Sequence, residues 1–123
     1  MADTAENAGF DLEERTAAFG EAVLRFVRQV ARGPANDPIV MQLVRSATSV
    51  GANYCEANDG VSKKDFRNKI GICRKESKET KHWLRMIVAV NEDLKPQARE
   101  LWQEAKELNL IFSKIFRSSG ESE

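Results

Sequence analysis

Apolar residues recur at helical spacing along almost the whole chain, and three short breaks cut that pattern into four segments. The stripes are Phe19, Val23, Phe26, Val27 and Val30; then Ile39, Leu43, Ala47, Val50, Tyr54 and Ala57; then Phe66, Ile70, Cys73, Ser77, Thr80, Leu84 and Ile87; and last Ala98, Leu101, Ala105, Leu108, Phe112 and Ile115. Steps of three and four hold side chains on one face of a helix. Asp11 with Glu14 has the form of a capping pair for the first helix, and Gly33-Pro34 ends it. Asp37 as N-cap with Pro38 at the first helical position opens the second, which Asn58-Asp59-Gly60 stops. Ser62 with Asp65 opens the third. Asn91-Glu92-Asp93 separates it from the fourth, which carries Pro96 in its first turn. No alternating β-branched run or hairpin signal competes, so the class is all-α. Connections this short leave each helix to return beside the last, which predicts an antiparallel up-down-up-down four-helix bundle. The bundle spans 11–117, after a disordered N-terminal segment at 1–10 and before a polar, frayed C-terminal tail at 118–123.

A chain of 123 residues holds one core and no more. Arg and Glu interrupt every apolar run within a few residues, and no leader pattern opens the chain, so the expectation is a soluble cytoplasmic protein without membrane contact. Cys55 and Cys73 read as reduced thiols inside or beside the core, since a chain rich in Leu, Ile, Val and Phe needs no disulfide. The single His82 assembles no zinc site with them, because neither C-x-x-C nor H-x-x-x-H spacing exists. No metal and no cofactor is expected.

The second helix is unusually bare. Opposite its apolar stripe lie Arg45, Ser49, Ala52, Asn53 and Glu56, where a solvated face would carry Lys and Glu in pairs four apart. Gly51 in the helix interior costs roughly 1 kcal/mol relative to Ala, and its presence predicts close approach of a neighbouring backbone. Either this helix packs tightly inside one bundle beside a chance run of small residues, or another subunit covers the face made by these five residues. Self-association is the favoured expectation.

Net charge is zero, yet unevenly laid out. Residues 1–14 carry five acids and no base, residues 15–85 carry 14 bases against seven acids, and residues 86–123 carry five bases against seven acids. On a wheel, Lys63, Lys64, Arg67, Arg74, Lys75, Lys78, Lys81 and Arg85 all fall on one flank of the third helix, with Asp65, Glu76 and Glu79 across the core arc from them. A merely solubilising surface mixes signs and avoids such repulsion. Eight unneutralised cations in a row suit a phosphate backbone, so nucleic acid is the expected ligand. Aromatic platforms for stacking are scarce, because Tyr54, Trp83, Trp102 and six Phe stand mostly at core spacing; backbone-directed, weakly sequence-specific binding follows.

Catalysis has little to stand on. A helical ribonuclease pairing Arg with His is absent, because Ser77, Glu76 and Lys75 occupy the required offsets from His82 and Arg74 lies one residue too far. Neither thiol has a base in evident reach. Glu76 and Glu79 read as ion-pair partners of Arg45 or Arg15 in preference to an acid–base pair, and Gly51, Gly60 and Gly71 are isolated rather than gathered in a phosphate loop. No catalytic residue is assigned.

Together, DLEERTAAFGEAVLRFV, QLVRSATSVGANYCEA and SKKDFRNKIGICRKESKETKHWL resemble the small four-helix-bundle proteins encoded in intervening sequences of bacterial 23S ribosomal RNA genes, over residues 11–116. That family is similar in fold to the accessory variability determinant proteins of diversity-generating retroelements, which are pentameric rings that bind nucleic acid and a reverse transcriptase. The resemblance implies a homo-pentamer and favours RNA, which charge alone does not separate from DNA. The alternative is a protein-interaction scaffold that docks a partner such as a reverse transcriptase through the same basic stripe.

Overall fold

In a computed structural model of the chain, the backbone is described for residues 4–60 and 62–121, and side chains for 12–60 and 62–120. Four helices, α1 (Thr4–Val27), α2 (Asn36–Asn58), α3 (Lys63–Val90) and α4 (Lys95–Glu121), account for nearly all of it, with one 3-10 turn at Glu92–Leu94 and no strand among the described residues. Each helix packs on the next, and α1 closes the bundle against α4. Asn36 at the start of α2 meets Asn91 just past the end of α3, where each side-chain amide donates to the other, at 3.4 and 2.9 Å. Near the other end, Glu56 of α2 meets Lys69 of α3 at 2.6 Å.

The four stripes form the core. Phe19, Val23, Phe26, Leu43, Ala47, Val50, Ile70, Cys73, Leu84, Ile87, Ala105, Leu108 and Phe112 are buried together, and the Tyr54 and Phe112 rings meet at 5.8 Å between centroids. Hydroxyls inside this core are satisfied locally: Thr80 Oγ1 lies 2.9 Å from Ser46 Oγ and 2.8 Å from the Glu76 carbonyl, and Ser77 donates to the Cys73 carbonyl. Such pairing matters because an unpaired buried hydroxyl costs about 1–3 kcal/mol.

Helix boundaries differ from expectation in four places. α1 ends at Val27 and not at Gly33-Pro34, because the N–H groups of Arg28, Gln29 and Val30 donate to carbonyls three residues back and tighten the chain into turns. α1 begins at Thr4, so Asp11 and Glu14 lie inside the helix and residues 4–10 extend it, where a loose segment was expected. α2 begins at Asn36 rather than after Asp37: the Asp37 carboxylate accepts from the Gly33 N–H at 3.1 Å and pairs with Arg32 at 3.2 Å, which puts it inside the first turn. Pro38 is tolerated there because first-turn N–H groups have no intrahelical partner. α4 runs through Ser118 and Gly120 to Glu121, into the stretch expected to fray. Ser62 does cap α3, its hydroxyl accepting from the Asp65 N–H at 3.0 Å.

The close approach expected at Gly51 is made by α1. A Cβ on Gly51 would stand 3.4 Å from the Thr16 carbonyl carbon and oxygen, and one on Gly20 3.7 Å from Thr48 Cα. At these distances an alanine Cβ would sit in ordinary van der Waals contact, so the α1 and α2 backbones lie close here, with room for a methyl group and little more.

Candidate nucleic-acid interface

Ion pairs divide the bundle surface by sign. Arg15 of α1 donates from Nε and Nη2 to both Glu104 oxygens of α4, at 2.7 and 2.9 Å, and again to Glu107 at 2.7 Å. Arg45 of α2 donates to both Glu76 oxygens, at 3.1 and 3.2 Å, and to Glu79. The Trp83 indole N–H, donating at 2.9 Å, together with Arg45 holds the Glu79 carboxyl below the ordinary range. Glu76 and Glu79 of α3 are thus engaged along the α2–α3 seam, and Glu104 and Glu107 of α4 along the α1–α4 seam. The seam between α3 and α4 carries cations with no salt bridge among the described residues.

All eight predicted cations lie along α3, and none pairs with a described acid. They are not equivalent. Lys63, Lys64, Lys75, Lys78 and Arg85 are exposed, whereas Arg67, Arg74 and Lys81 are half-buried in contact with α4. Arg67 and Arg74 place their guanidinium carbons 3.8 and 4.2 Å from the centre of the Phe116 ring. A Cβ on Gly71 would stand 3.0 Å from that ring, and one on Gly120 2.8 Å from Arg67 Nη2, so both glycines leave room for this stack. Arg67 Nε is buried there without a hydrogen-bond partner. Asn109 of α4 donates to the Arg74 carbonyl at 2.7 Å and fixes the two helices at mid-seam.

Sequence reasoning missed the α4 half of this surface. Lys95, Arg99, Lys106 and Arg117 are exposed and recur on one flank of α4, away from Glu100, Glu104 and Glu107. The wheel that exposed the α3 stripe reveals them once drawn for α4. Trp102, grouped with the core aromatics by spacing, is half-buried on this seam, with Lys81 Nζ 5.3 Å and Lys106 Nζ 5.8 Å from its ring centre. Beside it opens a cleft of about 550 Å³, lined by Leu84, Arg85, Val88, Lys95, Ala98, Arg99, Trp102 and Gln103.

Of the five residues expected at a subunit contact, Arg45, Ala52 and Glu56 are exposed, and Ser49 and Asn53 half-buried. Arg45 and Glu56 direct their charges to α3, and Asn53 donates to the Ser49 carbonyl and hydroxyl, both at 2.9 Å. Ala52 instead borders a groove with Ala17, Gly20 and Leu24 of α1 and Thr48 and Cys55 of α2. Cys55 is exposed, not at the core; Cys73 is buried, its thiol pushed up to about 12 by burial. Among the described residues no three His, Cys, Asp or Glu side chains gather as a metal site, and no helix is long and apolar enough to cross a membrane.

A search of the curated proteins gives no match. Among solved structures, the chain is similar to a protein of unknown function from the S23 ribosomal protein family of Bacteroides thetaiotaomicron VPI-5482, at 26% identity and a TM-score of 0.74, over 85% of this chain and 96% of the other. The family model for the 23S rRNA-intervening sequence protein matches residues 11–114, and the chain belongs to that family.

Proposed function

We propose that this protein is a non-enzymatic homo-oligomer that binds RNA in the cytoplasm along the α3–α4 seam. One observation carries the reading: Arg15, Arg45 and Lys69 are held by acids on the α1–α4 and α2–α3 seams, while none of Lys63, Lys64, Arg67, Arg74, Lys75, Lys78, Lys81 and Arg85 forms a salt bridge with an acid among the described residues, Lys75 acting on Glu79 only from a distance. Charge of one sign along a groove attracts a polyanion and releases its counterions. The 23S rRNA named in the family description favours RNA over DNA. Helix order is read as up-down-up-down, since Asn36 against Asn91 and Glu56 against Lys69 pair opposite ends of α2 and α3. A ring of subunits, five on the resemblance to the retroelement accessory proteins, is the assembly proposed, with the α1–α2 groove as its contact, where Ala17, Gly20, Thr48 and Ala52 are flanked by Glu13, Glu14 and Glu21. Absence of catalysis is supported by a Cys73 thiol held protonated in the core and by Glu76 and Glu79 bound to Arg45.

The experiment is a pull-down of tagged protein from lysate, divided before capture into nuclease-treated and untreated halves. RNA should be retained from the untreated half and lost when Lys64, Lys75, Lys78 and Arg85 are all replaced by Ala. Retention of one protein partner equally in both halves, without RNA, would favour the scaffold reading and overturn this one.

A further inference from the structure

The cleft at the α3–α4 seam combines two features that a phosphate-binding groove does not need together. Leu84, Val88 and Ala98 give it apolar walls around the Trp102 ring, and Arg85, Lys95 and Arg99 stand at the same cleft with no carboxylate among its lining. Its volume of about 550 Å³ falls inside the roughly 300–1,000 Å³ of small-ligand sites. Phosphate alone satisfies the cations and leaves the apolar walls wet. An acidic peptide does the same, since a carboxylate side chain brings no flat apolar group to cover an indole. A nucleotide brings both, a base with an apolar face and an anion one sugar away.

The other aromatic of this seam makes the contrast. Phe116 is already faced by Arg67 and Arg74 at 3.8 and 4.2 Å, whereas the two lysines near Trp102 stand off at 5.3 and 5.8 Å. Phe116 is a structural stack, whereas Trp102 is half-buried and lines the cleft with only the two more distant ammonium groups over its ring. Lysine ammonium groups at that distance also attract the phosphates flanking a seated base.

We propose that the α3–α4 cleft seats an unpaired nucleobase of single-stranded RNA against Trp102 while Arg85, Lys95 and Arg99 hold the adjoining phosphates. The base must be unpaired, because duplex bases are stacked on each other and the deep major groove of A-form RNA hides their edges. This site rests on the RNA-binding reading and adds to it a preference for single strands that charge alone does not give.

The test uses the full chain with Trp83→Phe, which leaves Trp102 as the sole tryptophan. Emission is followed during titration with single-stranded oligoadenylate, with an RNA duplex of equal phosphate number and with inorganic polyphosphate. Oligoadenylate should quench Trp102, and polyphosphate should not. In the otherwise native chain, Trp102→Ala should weaken oligoadenylate binding roughly ten-fold, the scale of one base–aromatic stack, with duplex and polyphosphate changed by less than about two-fold. Unchanged polyphosphate affinity also reports that the variant is folded, and Trp102→Phe, which keeps a ring, should recover most of the loss. Equal weakening for all three ligands, or none for oligoadenylate, overturns the base site. If duplex and polyphosphate bind with salt dependence while Trp102 emission stays fixed, the base site falls and RNA binding stands; if no polyanion binds, both fall.

Discussion

Replacing Arg45 by Met should destabilise the bundle through a stranded carboxylate. The Glu76 side chain is only 9% exposed, against 44% for Arg45, and the guanidinium supplies both hydrogen bonds that its carboxylate accepts. Removing one partner of a fully buried pair costs about 3–5 kcal/mol, and an exposed pair is worth about 0–1 kcal/mol. This pair lies between the two, since water reaches the arginine but hardly the glutamate, so about 2 kcal/mol is expected. With a urea m-value of about 2 kcal/mol/M for a chain this size, the midpoint should fall by about 1 M at unchanged m. Circular dichroism during urea titration measures it. Adding Glu76→Gln to Arg45→Met should recover much of the loss, because no buried charge then lacks its partner. A midpoint within about 0.25 M of the parent would make the pair an ordinary surface bridge. Failure of the double variant to recover would refute the stranded-charge argument.

Light scattering at low protein concentration should give a mass that is a multiple of 13.8 kDa, and Ala52→Glu should reduce it; a 13.8 kDa parent would remove the assembly argument. Cys73, buried and with its thiol raised to about 12, should resist iodoacetamide in the native protein at pH 8 and react in urea, with native labelling of Cys73 as the contrary result. Because the Glu79 carboxyl is held low first by the Trp83 N–H and then by Arg45, its ionised form stabilises the fold above the ordinary carboxylate range, and this contribution is lost as pH falls through the depressed value. Trp83→Phe moves the folded value toward the unfolded one, so this variant should lose less stability than the parent on acidification from about pH 4.5 downward; an equal or greater acid loss would contradict the assignment.

The core was legible because burial needs only periodicity. Leu43, Val50, Ile70, Leu84, Leu108 and Phe112 are all found where steps of three and four put them. Boundaries were harder, since Asp37 has the form of an N-cap and yet turns back to Arg32 and Gly33, a choice made by the loop before it. The α3 stripe could be read from one helix alone. Its continuation through Lys95, Arg99, Lys106 and Arg117 becomes a shared surface only when α3 and α4 lie side by side, which no single wheel displays. Trp102 and Phe116 were hidden for the same reason: on α4 alone they widen the apolar stripe, and only the facing Lys81, Arg67 and Arg74 make them part of a cationic seam. Likewise Gly71 signals nothing by itself, and its role is the space it leaves for the Phe116 ring.

Binding of an RNA backbone to the cationic α3 face should show in a filter-binding titration against salt. Lys64, Lys75, Lys78 and Arg85 are the cations to replace by Ala, because they are exposed, whereas Arg67 and Arg74 also hold Phe116. The control replaces Glu92 and Glu100 by Gln and Asp93 by Asn; all three are exposed, and none is among the ion-paired acids. Each neutralised phosphate contributes a logarithmic salt slope of roughly −0.7 to −0.9, so losing four contacts should weaken binding and flatten the slope by about three. The control should keep the parent's slope and bind at least as tightly. Equal affinity and equal slope for the two variants, over single-stranded and structured RNA alike, would contradict the assignment of this face to nucleic acid.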